Sequence, residues 1–140
     1  MSATEHNTKI VRQCFADATR GNRDALEQIL SPQFVIHVPD DYRGVDGLLE
    51  MVNTFRRALP DLAVTVDHQF ADGDYVASRF TVRGTHQGEL FGTPPTGREV
   101  IVTGITVSRC ANGRIAEEWE VVDVAAGLQQ IGALPEPTQA

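Results

Sequence analysis

The sequence is short of cysteine, of positive charge and of long apolar runs, and each shortage removes a class of protein. Two cysteines, Cys14 and Cys110, are too few for a disulfide framework and lie far apart without metal-ligand spacing, so they read as reduced thiols. Twelve basic against nineteen acidic side chains give a net charge of −7, the wrong sign for a phosphate backbone, and no nucleic-acid partner is expected. No stretch approaches about eighteen consecutive apolar residues. Met1 to Phe15 mixes Glu5, His6, Asn7, Lys9 and Arg12 among its apolar residues, unlike an export signal. The chain therefore reads as soluble and cytoplasmic, with no membrane partner. A phosphate loop, a dinucleotide glycine fingerprint, a nucleophile elbow and a helical His-x-x-x-His pair are also missing, and neither a metal nor a cofactor is expected.

What is present is one ordinary domain. The 140 residues are 41% apolar and 22% charged, close to the globular average, so 1–140 is expected to fold as a single unit with about 1–4 and 133–140 as flexible tails. Apolar residues at helical spacing predict a first helix from Glu5 to Gly21, a second from Arg23 to Leu30 and a third from Val45 to Leu59. Phe34 to Val38 reads as a short strand and Asp40 to Tyr42 as a polar loop. From Leu62 the period falls to two. Long strands are predicted at Leu62–Ala71, Tyr75–His86, Glu99–Arg109 and Arg114–Val124, separated by Asp72-Gly73-Asp74, the Gln87–Gly97 loop and Asn112-Gly113. A short helical turn at Leu128–Ile131 follows. This order predicts an α+β fold in which three N-terminal helices cover a curved, mostly antiparallel, cone-shaped sheet around a cavity. Gly84 and Gly104, inside long strands, are candidate bulges or bends.

Alternation along each strand sorts side chains between two faces. In the last strand Ile115, Trp119, Val121 and Asp123 share a parity, opposite to Ala116, Glu118, Glu120 and Val122. Taking the Trp119 side as the inside puts Asp123 in the cavity as a candidate catalytic base and leaves Glu118 and Glu120 on the polar face. In the strand from Tyr75, Val76, Ser78, Phe80, Val82, Gly84 and His86 share the inner parity, which makes His86 a second candidate. Trp119, Phe80, Val82, Phe91, Val121 and His37 are the candidate pocket residues. A carboxyl held in an apolar pocket acquires a raised pKa and becomes a useful base near neutral pH, suited to removing a proton next to a carbonyl.

The motif series Gly84-Thr85-His86-Gln87-Gly88-Glu89-Leu90-Phe91-Gly92-Thr93-Pro94-Pro95-Thr96-Gly97 and Asn112-Gly113-Arg114-Ile115-Ala116-Glu117-Glu118-Trp119, with Asp123 four residues on, resembles the SnoaL-like polyketide cyclases. Ala58-Leu59-Pro60-Asp61-Leu62 and Gly127-Leu128-Gln129-Gln130-Ile131-Gly132 extend the resemblance over nearly all the chain beyond the first helix. It implies a nuclear transport factor two-like, cystatin-like α+β barrel and a homodimer. It also implies aldol cyclisation of a polyketide ester without cofactor or metal, with Asp123 matching the family's acid/base aspartate. The leading expectation is thus a cofactor-independent lyase or isomerase acting on a small apolar carbonyl compound, with Asp123 as base and His86 or a backbone donor steadying the enolate. The alternatives are a non-catalytic ligand-binding or dimerisation module of the same fold, or a hydroxylase or epoxide-hydrolase-like relative.

Overall fold

A computed structural model describes residues 2–135. The first helix, α1, spans Ala3–Arg20. The Ser2 hydroxyl caps it by accepting the Glu5 N–H at 3.1 Å, and Gly21 closes it in the left-handed region at φ 69°. Residues 3 and 4 therefore belong to the helix and not to a tail. Helix α2, Arg23–Ile29, is capped by Asn22, and α3 covers Gly44–Ala58. Strand β1 runs over Leu30–Val38, longer than its apolar core suggests, and the polar stretch after it is a strand, β2, Asp40–Arg43, paired back onto β1.

The remaining strands are β3, Ala63–Asp72; β4, Tyr75–Thr85; β5, Glu99–Ala111; and β6, Arg114–Val122. Helix α4, Val124–Gln130, starts earlier than expected because Asp123 caps it. Ala133 and Leu134 bond back to the Leu128 carbonyl at 2.8 and 3.3 Å, so these two do not belong to the tail expected from 133, and 136–140 lie outside the described residues.

One six-stranded sheet has the order β2-β1-β6-β5-β4-β3, antiparallel throughout except for the β1–β6 pair. The sheet is not closed. It ends at β2 and β3, which corrects the barrel to an open, mixed sheet with helices packed on one face. The larger core joins Ile10, Val11 and Cys14 of α1 and Leu26 of α2 to Phe34 and Ile36 of β1 and Ile115 of β6. A smaller one joins Ala58 and Leu59, at the end of α3, to Leu90, Val100, Val102 and Ile131.

The decisive local feature is a bulge in β6. Cys110 pairs with Ile115, but Arg109 pairs with Glu117, leaving Ala116 as an extra residue. Because side chains alternate, one extra residue exchanges the faces of everything beyond it. Ile115 points inward and is fully buried, and past the bulge Glu118 is inward and buried whereas Trp119 and Val121 are exposed on the outer face. The parity that carried Trp119, Val121 and Asp123 inward is thereby corrected.

Neither glycine expected to bulge does so, since the β4–β5 register is continuous through Gly84 and Gly104. They are sites of close approach. A Cβ on Gly104 would lie 2.5 Å from the Phe80 ring and 2.7 Å from the Val121 carbonyl oxygen. Replacing Gly104 with Ala is expected to destabilise the fold by about 1–3 kcal/mol through overpacking, read as a lower urea midpoint at unchanged slope.

Candidate active site

Between α1, α3 and the inner faces of β4, β5 and β6 lies a cavity of about 120 Å³. Its walls are almost wholly apolar, formed by Phe15 and Ala18 of α1, Met51, Val52 and Phe55 of α3, and Phe80, Val82 and Val102 of the sheet. The Phe15 and Phe80 rings meet at 5.1 Å, and Leu90 and Phe91 border the cavity from the β4–β5 loop.

Against these walls stand two carboxyl groups, Glu118 and Glu120, which the bulge turns inward. They are successive residues of one face, so their Cα atoms are about 7 Å apart. Each meets a hydroxyl from the neighbouring strand: Ser108 Oγ donates to Glu118 at 2.5 Å, and Thr106 Oγ1 donates to Glu120 at 2.8 Å. No Lys, Arg or His side chain is among the lining residues. Burial without a cation pushes the Glu118 carboxyl up to about 8, the nearby Glu120 adding to the shift and the Ser108 hydrogen bond opposing it. Glu118 is therefore mainly a neutral acid at pH 7. Burial raises Glu120 as well, opposed by its hydrogen bond from Thr106. The Cys14 thiol, also at the cavity wall, is raised well above its ordinary value, first by burial and then by these two acids.

Of the residues singled out in the sequence, Phe80, Val82 and Phe91 line this cavity. Asp123 does not. It is exposed, its Oδ1 accepting the Ala126 N–H at 3.0 Å as the cap of α4, although the adjoining Val124 reaches the cavity. His86 is fully buried with the expected parity, yet it is absent from the lining. Its Nδ1 accepts the Thr96 N–H at 3.2 Å, so the ring holds the base of the loop. Its Nε2 has no hydrogen-bond partner among the described residues.

His37, Trp119 and Val121 lie on the outer face. The His37 imidazolium donates to Asp41 at 2.5 Å and to Glu117 at 2.8 Å, and Glu117 also accepts from Arg109 at 3.3 Å. Trp119 stacks on the His37 ring with centroids 5.8 Å apart. The hydrogen bond to Glu117, then that to Asp41, raises the pKa of His37, and His37 lowers that of Glu117. The histidine's stabilising contribution is full below its ordinary 6.5 and is lost as pH rises through its folded value. That of Glu117 is present above 4.5 and is lost as pH falls through its own folded value. This cluster is an electrostatic clamp between β2 and β6, and none of its residues lines the cavity.

The residues that sequence reasoning missed are Glu118 and Glu120. A signal for them existed in β5, where the buried face carries Thr106 and Ser108 amid Val100, Val102 and Cys110. Two hydroxyls on an apolar face call for polar partners on the next strand.

The SnoaL-like polyketide cyclase family model matches residues 9–131. The chain belongs to this family. It is 27% identical over 114 residues to an aklanonic acid methyl ester cyclase of Streptomyces sp. strain C5, covering 81% of this chain and 70% of the relative. Identity to the cyclase of the same description from Streptomyces peucetius is also 27%, over 79% of this chain and 76% of that one. Among solved structures, IdmH of Streptomyces antibioticus, described as a candidate polyketide cyclase, superposes with a TM-score of 0.81 at 31% identity, covering 90% of this chain and 98% of IdmH. AclR of Streptomyces galilaeus, described as a candidate hydroxylase, gives 0.84 at 28% identity over 97% of this chain and 87% of AclR. Membership of the family supports a cyclase or isomerase role.

The raised carboxyl of Glu118 has a consequence for stability. Its folded value exceeds the ordinary 4.5, so its contribution is fully present below 4.5 and is lost as pH rises through about 8. Urea midpoints of the wild type are expected to decline between these pH values by the equivalent of a few kcal/mol. Glu118→Gln, which keeps the shape and never ionises, should remove most of the Glu118 share of that decline.

Proposed function

We propose that this SnoaL-like protein is a cofactor-independent cyclase or isomerase that moves a proton next to a carbonyl of a neutral, flat, apolar substrate. We assign the acid/base work to Glu118 and Glu120. The observation that carries this is a pair of carboxyl groups facing one apolar cavity without a cation, one of them mainly protonated at neutral pH. Two carboxyls whose environments differ can divide the roles of acid and base.

In this reading the less deeply buried Glu120, when ionised, takes the proton from the carbon next to the substrate carbonyl. Neutral Glu118 donates a hydrogen bond to the developing enolate oxygen from its free edge while Ser108 holds the other. For cyclisation, the enolate carbon attacks a second carbonyl of the same molecule. One C–C bond forms, and the resulting alkoxide recovers the proton held by Glu120. Nothing is consumed, and the product is an isomer of the substrate. The apolar rings position a flat molecule, and the lack of cationic wall residues favours one whose acidic groups are masked, as in the methyl ester on which the two curated relatives are named to act. Asp123, engaged in capping α4, is on this reading a structural residue.

With aklanonic acid methyl ester as the first assay substrate, Glu120→Gln is expected to lower kcat by roughly 10²–10⁴-fold. Asp123→Asn should keep most of the activity. Loss of turnover in folded Asp123→Asn with activity retained in Glu120→Gln would return the base to Asp123 and remove the glutamates from the mechanism.

We also propose that the outer sheet face joins two copies. Val121 is 75% exposed, Ile105 53% and Trp119 40%, and Ile105 lies directly opposite Val121 across the β5–β6 ladder. Exposed Arg79 and Arg83 on β4 and exposed Asp123 beyond β6 flank this patch on opposite sides. A two-fold axis through the patch sets the arginines of one copy against the acid of the other. Val121→Glu should convert a dimer to a monomer in analytical ultracentrifugation, whereas a wild type that sediments as a monomer at micromolar concentration rules the contact out.

A further inference from the structure

The loop between β4 and β5 is pinned at its base and strained at its tip. At the base, His86 N donates to the Arg98 carbonyl and Gly97 N to the His86 carbonyl, both at 2.9 Å. Gln87 N and Gly88 N both donate to the carbonyl of Ala58, at the end of α3, at 3.0 Å. At the tip, Leu90 and Thr93 exchange two backbone hydrogen bonds at 3.1 and 2.9 Å, leaving Phe91 and Gly92 as the two central residues of a miniature hairpin. Both have positive φ, +46° and +83°. Such turns favour Asn, Asp or Gly at the first central position, and a bulky side chain there is unfavourable.

Burial in the core does not compensate for this conformation, since Phe91 is 57% exposed. Its ring instead stands edge-on to Phe55 of α3, with centroids 6.1 Å apart, and both rings border the cavity. Leu90, immediately before it, is buried in the smaller core cluster and anchors the tip. A strained aromatic kept at a cavity mouth by a pinned loop is a feature of function more than of folding. Size gives it a role. A cavity of about 120 Å³ is comparable to one of roughly 150 Å³ that accommodates a single benzene ring, so a ligand of several fused rings extends beyond it to the mouth where Phe91 stands on Phe55.

We propose that Phe91 is a gate that selects and retains multi-ring ligands, swinging off Phe55 to admit them and closing its ring against their exposed face. The moving part is the 90–93 tip, while the bonds at His86, Gly88 and Gly97 keep the loop's base fixed. This inference rests on the cavity being the ligand site, but it does not depend on which carboxyl does the chemistry.

The test uses the neutral multi-ring fluorophore N-phenyl-1-naphthylamine and stopped-flow fluorescence. Phe91→Asn removes the ring while supplying a residue that adopts the left-handed backbone readily, and the thermal midpoint confirms that the variant is folded. Dissociation of the probe is expected to accelerate about ten-fold, with association no slower than in the wild type. Phe55→Leu should accelerate dissociation too, and the double variant should show less than the product of the two effects, because both remove one ring contact. Unchanged dissociation from folded Phe91→Asn overturns the gate while leaving the cavity as the ligand site. If that variant instead changes the oligomeric state, the ring belongs to a subunit contact and the gate is likewise overturned. A wild type whose probe signal is insensitive to Val82→Trp, which fills the cavity, shows that the probe does not occupy it and overturns both the ligand site and the gate.

Discussion

One extra residue in the last strand determines which side chains face the cavity. With Ala116 accommodated as a bulge, Glu118 and Glu120 are committed to the inside and Trp119 and Val121 to the outside. Without it, a tryptophan and a valine would fill the same space and the acids would face water. The register of β6 is held on both sides. On β5, Ser108 and Thr106 meet the two acids, and on β1, Ile36 and His37 pair with Glu118 and Trp119. The His37 clamp to Glu117 fastens the outward residue next to the bulge. Each of these contacts disfavours a one-residue slip, because a slip would put carboxylates on the outside and leave buried hydroxyls without partners.

The cost of this arrangement is a buried acid. Desolvation of Glu118 is relieved by protonation, so the fold tolerates the group in its neutral form, and no cationic side chain among the cavity-lining residues holds the charged one. That neutral carboxyl stands beside a second, less enclosed one, so two residues of one type sit in different environments. A cavity built for stability alone would have apolar residues at both positions.

Much of the fold was legible because its signals are local. The helices announce themselves through apolar periodicity and through caps such as Asn22 and Gly21, and the long hairpins through Asp72-Gly73 and Asn112-Gly113. The inner face of β4 was also readable, because its alternation runs from Val76 to Gly84 without interruption. The candidate site was not legible to the same degree. The bulge falls in Ile115-Ala116-Glu117, which contains no glycine, proline or asparagine to mark it, while the strand glycines that suggested bulges or bends answer instead to the Leu59 and Phe80 side chains packed over them. The apolar character of Trp119 and Val121 misled for a physical reason. Exposed apolar side chains on a sheet face obey the same alternation as buried ones, and one strand read alone does not distinguish them.

The single parallel pairing also governs how the chain comes together during synthesis. Strand β1 emerges early, yet the strand that covers its inner edge, β6, is nearly the last to be made. Until then Leu30, Phe34 and Ile36, later fully enclosed, have only α1 to α3 and the short β2 for company. The apolar edge of β1 therefore finds its covering strand only when β6 has been made, and completion of the core is a late, long-range closure.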